Sequence, residues 1–374
     1  MKLNNKVKRL EFLVISLSFF LTVISCEKET TKILPVVLTE EVKSDLSALA
    51  DKVFLETSTP GLIALISVDG EPDFLIKRGS ANLVINEPVH EDNAFRIASV
   101  TKSFTGTAVL LLADEGLIHL DSAISSYLPE YNIPSGDVIT VRMLGTMTSG
   151  LFDYSEDPDL WELFAESGYT LYFPPDSLLA IAFRHPMNFL PGTAYEYCNT
   201  NTVLLGLLLE KMEGKPADQI IKEKVLVPLN LTNTYFGGQF FMYEPYLHGY
   251  TLGDDGLIDA TNWNPSWGYT AGAMISKFED LKQWAVYLAE GALLSETMKT
   301  ERFKFGTYDY GFCVETIHYK EEHWVGHPGV IPGYNTQMWY NKDKKTTVII
   351  NSNSENNLPA QALLIEIIIF LGEL

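Results

Sequence analysis

The sequence predicts an α+β fold: an antiparallel sheet flanked by N- and C-terminal helices, with a mainly helical lobe inserted between its parts. Three observations carry this reading. Short period-two apolar runs lie near both ends of the chain, helix-spaced apolar residues fill the middle, and an apolar helical stretch stands at each extreme of the body. The 374 residues are 46% hydrophobic and include 20 Phe, 18 Tyr and 6 Trp. That is enough for a large core, and it excludes a disordered chain, a collagen or a small disulfide scaffold.

Taken in order, Thr39 opens an acidic-then-apolar stretch (Leu46, Leu49, Val53, Phe54) with helical spacing, ended by Pro60-Gly61. Leu62 to Val68 and Phe74 to Lys77 flank Asp69-Gly70, a strong hairpin signal. From Ser99 the period changes. Phe104, Ala108, Leu111 and Leu112 share one face of an amphipathic helix that Gly116 stops. Residues 117 to 245 read mainly as helices and loops, among them Val203 to Met212 before Gly214. Period-two runs return at Tyr310 to Ile317, Thr336 to Tyr340 and Thr346 to Asn351, and Leu358 to Leu371 closes the chain as a very apolar helix. The folded body is expected over residues 37–374, with the helical lobe at about 100–245.

The first 25 residues read as a signal peptide. Lys2, Lys6, Lys8 and Arg9 form a positive head before the apolar stretch Phe12 to Ile24. At about 1.5 Å per residue it reaches roughly 20 Å, short of an about 30 Å hydrocarbon core. Val23-Ile24-Ser25-Cys26 resembles a bacterial lipobox, so Cys26 is the expected lipidation site and residues 26–36 a lipidated tether. The expected location is the cell envelope, lipid-anchored to a bacterial membrane on its periplasmic or outer-membrane face. Cys198 and Cys313 lie in apolar segments and are expected as buried free thiols. Lys+Arg number 27 against 48 Asp+Glu, a net charge of −21. Such a surface repels phosphate backbones, so no nucleic-acid partner is expected.

Three short motifs carry chemistry. Ser99-Val100-Thr101-Lys102 places a serine at a helix entry with a lysine three residues on, both on one face about 5–6 Å apart at Cβ. The helix N-terminus offers free N–H groups to a developing oxyanion, and a neutral lysine can take the serine proton. Tyr197-Cys198-Asn199, if extended, puts phenol and amide on one side: Tyr197 to relay a proton, Asn199 to hold Lys102 and a substrate carbonyl. His327-Pro328-Gly329 falls just before a strand. There Gly329 permits close backbone approach, the Val330 N–H offers a second oxyanion donor, and His327 offers a donor or partial positive charge. His323 and His327 have a metal-ligand spacing only on a helix, which Gly326, Pro328 and Gly329 oppose, so neither metal nor cofactor is expected.

Together, Phe95 to Lys102, Met147-Thr148-Ser149-Gly150-Leu151, Pro191-Gly192-Thr193 leading to Tyr197-Cys198-Asn199-Thr200-Asn201, Ser266 to Gly272 and Gly326-His327-Pro328-Gly329 resemble the class C β-lactamase and DD-peptidase group of penicillin-recognising serine hydrolases. The resemblance runs from about residue 40 to the C-terminus and implies a β-lactamase/transpeptidase-like fold. It implies that Ser99 is the acylated nucleophile, Lys102 its proton partner, Tyr197 the general base and acid, and Asn199 the substrate-amide clamp. His327 and Gly329 resemble the third box of the family, and Trp267 resembles a pocket-wall aromatic. One departure concerns substrate: Pro328 and Val330 lack the hydroxyl with which many relatives bind a substrate carboxylate.

The expectation is a lipid-anchored serine hydrolase working through an acyl-enzyme, first a D-Ala-D-Ala carboxypeptidase-like peptidase. Alternatives are a carboxylester hydrolase or a β-lactamase of the same family and, in a different class, a non-catalytic peptidoglycan- or β-lactam-binding protein. Its expected partners are a small peptide, ester or β-lactam substrate and, through the anchor, a membrane.

Overall fold

The computed structural model describes residues 36–237, 242–306 and 308–374. The expected signal peptide, the expected lipidation site Cys26 and the expected tether as far as residue 35 lie outside the described residues. Val36 and Leu38 are already buried in the core.

Helix α1 (Glu40–Thr57) begins where Thr39 caps it by accepting from the Val42 N–H, with Glu40 and Glu41 at the positive end of the helix dipole. The strands are β1 (Gly61–Val68), β2 (Phe74–Asn82), β3 (Glu87–Pro88), β4 (Phe95–Arg96), β5 (Tyr235–Phe236) and β6 (Tyr250–Gly253). They continue with β7 (Gly256–Asp259), β8 (Met274–Ser276), β9 (Glu315–Tyr319), β10 (Glu322–Ile331), β11 (Tyr334–Asn341) and β12 (Thr346–Ser352). The main sheet runs β3-β2-β1-β12-β11-β10-β9, so its centre joins a strand from each end of the chain. Its paired strands are antiparallel, as expected.

Each face of the sheet buries a different layer. Leu62, Ala64, Ile66, Trp324, Val348 and Ile350 pack with α1 and the C-terminal helix Pro359–Glu373. Ile63, Leu65, Met338 and Ile349 face a larger core shared with the helix Phe278–Glu290 and the helical segments between β4 and β5. The terminal helices thus cover one face, as the apolar pattern requires. No helix among the described residues is long and apolar enough to cross a membrane.

Two local expectations are corrected. Helix α2 (Thr101–Asp114) is not amphipathic: residues 101–110 and Leu112 are all buried, because it runs through the interior. The His-Pro-Gly segment lies within β10, not before a strand. Two glycines and a proline hide the strand pattern, but the proline is tolerated for a structural reason. Pairing of β9 with β10 ends at Glu315–Gly326, so from His327 onward β10 is bonded only to β11. Pro328 therefore needs no N–H on its outer side.

Candidate active site

Ser99 is the middle residue of a 3₁₀ turn, Ala98–Val100, which runs directly into α2. Ala98 has φ +48°, an uncommon conformation for a residue with a Cβ, and it sets Ser99 at a sharp bend. One turn on, Lys102 is fully buried. Its Nζ donates to Asn199 Oδ1 at 2.7 Å and to the Ala271 carbonyl at 2.8 Å, and lies 3.1 Å from Ser99 Oγ.

Neighbouring segments deliver those two acceptors. Asn199 starts the helix Asn199–Glu213, and Asp153 holds its amide. Asp153 Oδ2 accepts from the Asn199 N–H at 2.8 Å and from Nδ2 at 3.0 Å, while Ser155 Oγ accepts from Nδ2 at 3.1 Å. With both amide hydrogens placed, Oδ1 can only turn to Lys102. Ala271 is held by its neighbours: Thr105 Oγ1 donates to the Thr270 carbonyl at 2.8 Å, and the Met274 N–H donates to Thr101 Oγ1 at 3.2 Å. Gly206 permits the approach, since a Cβ there would lie 2.4 Å from Thr270 Oγ1.

These contacts set the protonation of the pair. Burial pulls the Lys102 ammonium down to about 7, against the raising influence of the Asp153 carboxylate. All three contacts of Nζ are to neutral atoms, so the neutral amine fits as well as the ammonium. It donates to Asn199 and Ala271 and accepts the Ser99 hydroxyl proton on its lone pair. Asp153 is itself raised by burial.

Tyr197 stands over this pair, with Lys102 Nζ 4.7 Å from its ring centre. Its Oη is buried and makes no hydrogen bond of normal geometry, though the Ser99 hydroxyl lies near enough to favour the phenolate slightly. Burial dominates and pushes the phenol well above its ordinary range, so it keeps its proton. Tyr310 meets Tyr197 edge-on at 6.2 Å, and the His327 ring centre is also 6.2 Å from that of Tyr197.

His327, expected to offer a donor or a partial positive charge, has both ring nitrogens in hydrogen bonds. Its Nδ1 donates to the Pro328 carbonyl at 2.6 Å, which leaves Nε2 as acceptor for the Tyr310 hydroxyl at 3.2 Å. Burial and the nearby Lys102 charge lower its pKa to about 3, so the imidazole is neutral.

Gly329 presses β10 against the serine turn: a Cβ there would lie 2.3 Å from the Ile97 carbonyl oxygen and 3.1 Å from Ala98 Cβ. The register also fixes Val330. The β10–β11 hairpin closes on the bonded pair Ile331–Tyr334, so the next pair, Val330–Asn335, exchanges no bonds. The Val330 N–H therefore points outward from the sheet's free edge, beside the turn that carries the Ser99 N–H. Ser99, Lys102, Tyr197, Asn199, His327, Gly329 and Val330 thus gather in one place. Trp267 is not joined to them by any side-chain hydrogen bond or ring contact among the described residues. Its ring meets Trp161 edge-on at 4.9 Å, and it lines a small cavity with Arg96 and Trp263.

Sequence reasoning missed Asp153, Tyr310 and Glu315. Asp153 follows Leu151 by two residues and caps a 3₁₀ turn, a role that Asp-Tyr-Ser in a polar loop suggests. Glu315 is the single charge inside the run Tyr310 to Ile317, a visible interruption. Burial raises its carboxyl to about 7, and its Oε1 lies 3.9 Å from His327 Nε2. Cys198 and Cys313 are buried and unpaired.

Comparison with known proteins places this geometry. The family model described as Beta-lactamase matches residues 43–371. The structure is similar to that of a D-stereospecific amidohydrolase from Streptomyces sp., with TM-score 0.78 and 28% identity, covering 85% of this chain and 97% of that one. It is also similar to the D-amino acid amidase from Ochrobactrum anthropi SV3 complexed with L-phenylalanine amide, with TM-score 0.73, 26% identity and coverage of 86% and 98%. In sequence it is 28% identical over 307 residues to a D-aminopeptidase of Brucella anthropi, covering 79% of this chain and 56% of that protein. The chain spans 56% to 65% of the length of the curated relatives it matches.

Proposed function

The chain belongs to the beta-lactamase family, and from that premise we propose that it is a serine hydrolase that cleaves amides and peptides of D-amino acids through an acyl-enzyme on Ser99. The observation that carries this reading is the buried Lys102 amine, 3.1 Å from Ser99 Oγ and lowered to about 7. Neutral Lys102 takes the hydroxyl proton as Ser99 Oγ bonds to the substrate carbonyl carbon. The oxyanion rests on the N–H groups of Ser99 and Val330, both preorganised before reaction. The protonated phenol of Tyr197 gives its proton to the leaving nitrogen as the C–N bond breaks, and Lys102 restores it. Water then attacks the ester by the same route in reverse.

The D-aminoacyl substrate class is supported by the similarity to proteins named D-amino acid amidase, D-stereospecific amidohydrolase and D-aminopeptidase. D-Ala-D-Ala carboxypeptidase action falls within the same chemistry. Against it stand the neutral His327 and the absent hydroxyls at Pro328 and Val330, which leave the third box without a cation or hydroxyl for a terminal carboxylate. Turnover of D-phenylalanine amide, D-Ala-D-Ala, a short ester and a penicillin, compared side by side, tests the reading. Hydrolysis of the D-amide by wild type and none by Ser99→Ala is expected; equal turnover by Ser99→Ala removes the mechanism.

The cell-envelope location also belongs to the proposal, on the basic head, the apolar stretch to Ile24 and the lipobox-like Val23-Ile24-Ser25-Cys26. Detergent-phase partitioning of the full chain expressed in a bacterium should be lost on Cys26→Ala. Partitioning unchanged by that substitution removes the anchor.

A further inference from the structure

Glu315 is a carboxylate without an assigned task inside the site. It opens β9 at the point where β10's outer edge becomes free, and it bridges to Tyr310 in the chain that leads into it. Its Oε1 lies 3.9 Å from Nε2 of His327, whose ring centre stands 5.9 Å from that of Tyr310 and 6.2 Å from that of Tyr197. Beyond Tyr310 the aromatic cluster continues: Tyr195 lies 5.8 Å from Tyr310 and stacks on Tyr308 at 5.1 Å.

Among the described residues the Glu315 side chain accepts no hydrogen bond, and its nearest ring nitrogen, His327 Nε2 at 3.9 Å, belongs to a neutral imidazole already bonded to Tyr310. Lys102 Nζ is already occupied by Asn199, Ala271 and Ser99. The Glu315 side chain is 27% exposed, so a ligand can reach it. A carboxylate beside a cluster of aromatic rings suits one class of group, a cation with attached carbon.

We propose that Glu315, with the rings of Tyr195, Tyr308 and Tyr310, binds the protonated free amine of the substrate's D-aminoacyl group. The site selects substrates by an ammonium on the acyl side of the scissile bond rather than by a carboxylate on the leaving side. This rests on the D-aminoacyl hydrolase reading above and adds to it the group that is recognised.

Binding to a variant that cannot turn over separates the two. Calorimetric titration of Ser99→Ala with D-phenylalanine amide and with N-acetyl-D-phenylalanine amide should show the free amine binding at least about tenfold more tightly. In Ser99→Ala/Glu315→Gln the preference should vanish, and Glu315→Asp should restore part of it. Equal affinities in Ser99→Ala, no binding of either amide, or a preference that survives Glu315→Gln overturns the proposal. Wild-type turnover of D-phenylalanine amide is scored apart: an amine preference without turnover refutes the hydrolase reading and leaves the ammonium site standing.

Discussion

At the scale of single residues, the chemistry depends on how far burial can hold Lys102 from its ordinary charge. A lysine raised in water would be protonated throughout the physiological range, whereas one lowered to about 7 is half neutral there. Only the neutral form accepts the Ser99 proton, so kcat/KM should rise with pH along a limb centred near 7. Asp153 opposes the shift, and it acts through Asn199 rather than on substrate, which makes it a positioning residue. In Asp153→Asn the limb should move to lower pH by about one pH unit, because a neighbouring negative charge has gone. A variant that only loosens the fold would lower the rate without moving the limb. The motif residues were legible because each has a distinctive side chain. Asp153 and Glu315 were not, because a carboxylate's role depends on what surrounds it. The sequence left His327 as either a donor or a partial positive charge for the same reason: its state depends on Tyr310 and the Pro328 carbonyl.

At the scale of elements, the strand β10 and the serine turn act as one device. Gly329 has no side chain, so the strand lies against Ile97 and Ala98 and the Val330 N–H stands beside Ser99. Gly329→Ala should force the two apart. The expected result is a fall in kcat of about 10²-fold, the size of losing one oxyanion donor, with a smaller change in KM. An unchanged kcat would show that Val330 donates to no oxyanion. Helices α1 and α2 and strands β1, β2, β11 and β12 were readable from periodicity, with α1 beginning one residue after Thr39. Strand β10 was not, because Gly326, Pro328 and Gly329 all disfavour strands locally, and only the missing β9 partner makes Pro328 acceptable. Likewise α2 looked amphipathic because Thr101, Ser103, Thr105 and Thr107 are polar, yet they are buried. Ser103, Thr105 and Thr107 bond to carbonyls within their own helix, a solution that a hydropathy pattern does not display.

At the scale of the whole molecule, the site exists because the chain closes its sheet from both ends. Strand β1 pairs with β12, which brings the C-terminal hairpin carrying His327 and Val330 to the helix carrying Ser99 and Lys102. The segment between them contributes Tyr197 and Asn199. That two-ended order was legible from the positions of the period-two runs, but the contact itself was not, since it depends on register. The most direct test of the convergence is reaction with a fluorophosphonate followed by peptide mapping of wild type and Lys102→Met. A single adduct on the peptide containing Ser99, lost when Lys102 is replaced, is the result predicted here. An adduct on a different serine, or one on Ser99 that forms equally fast without Lys102, would contradict it.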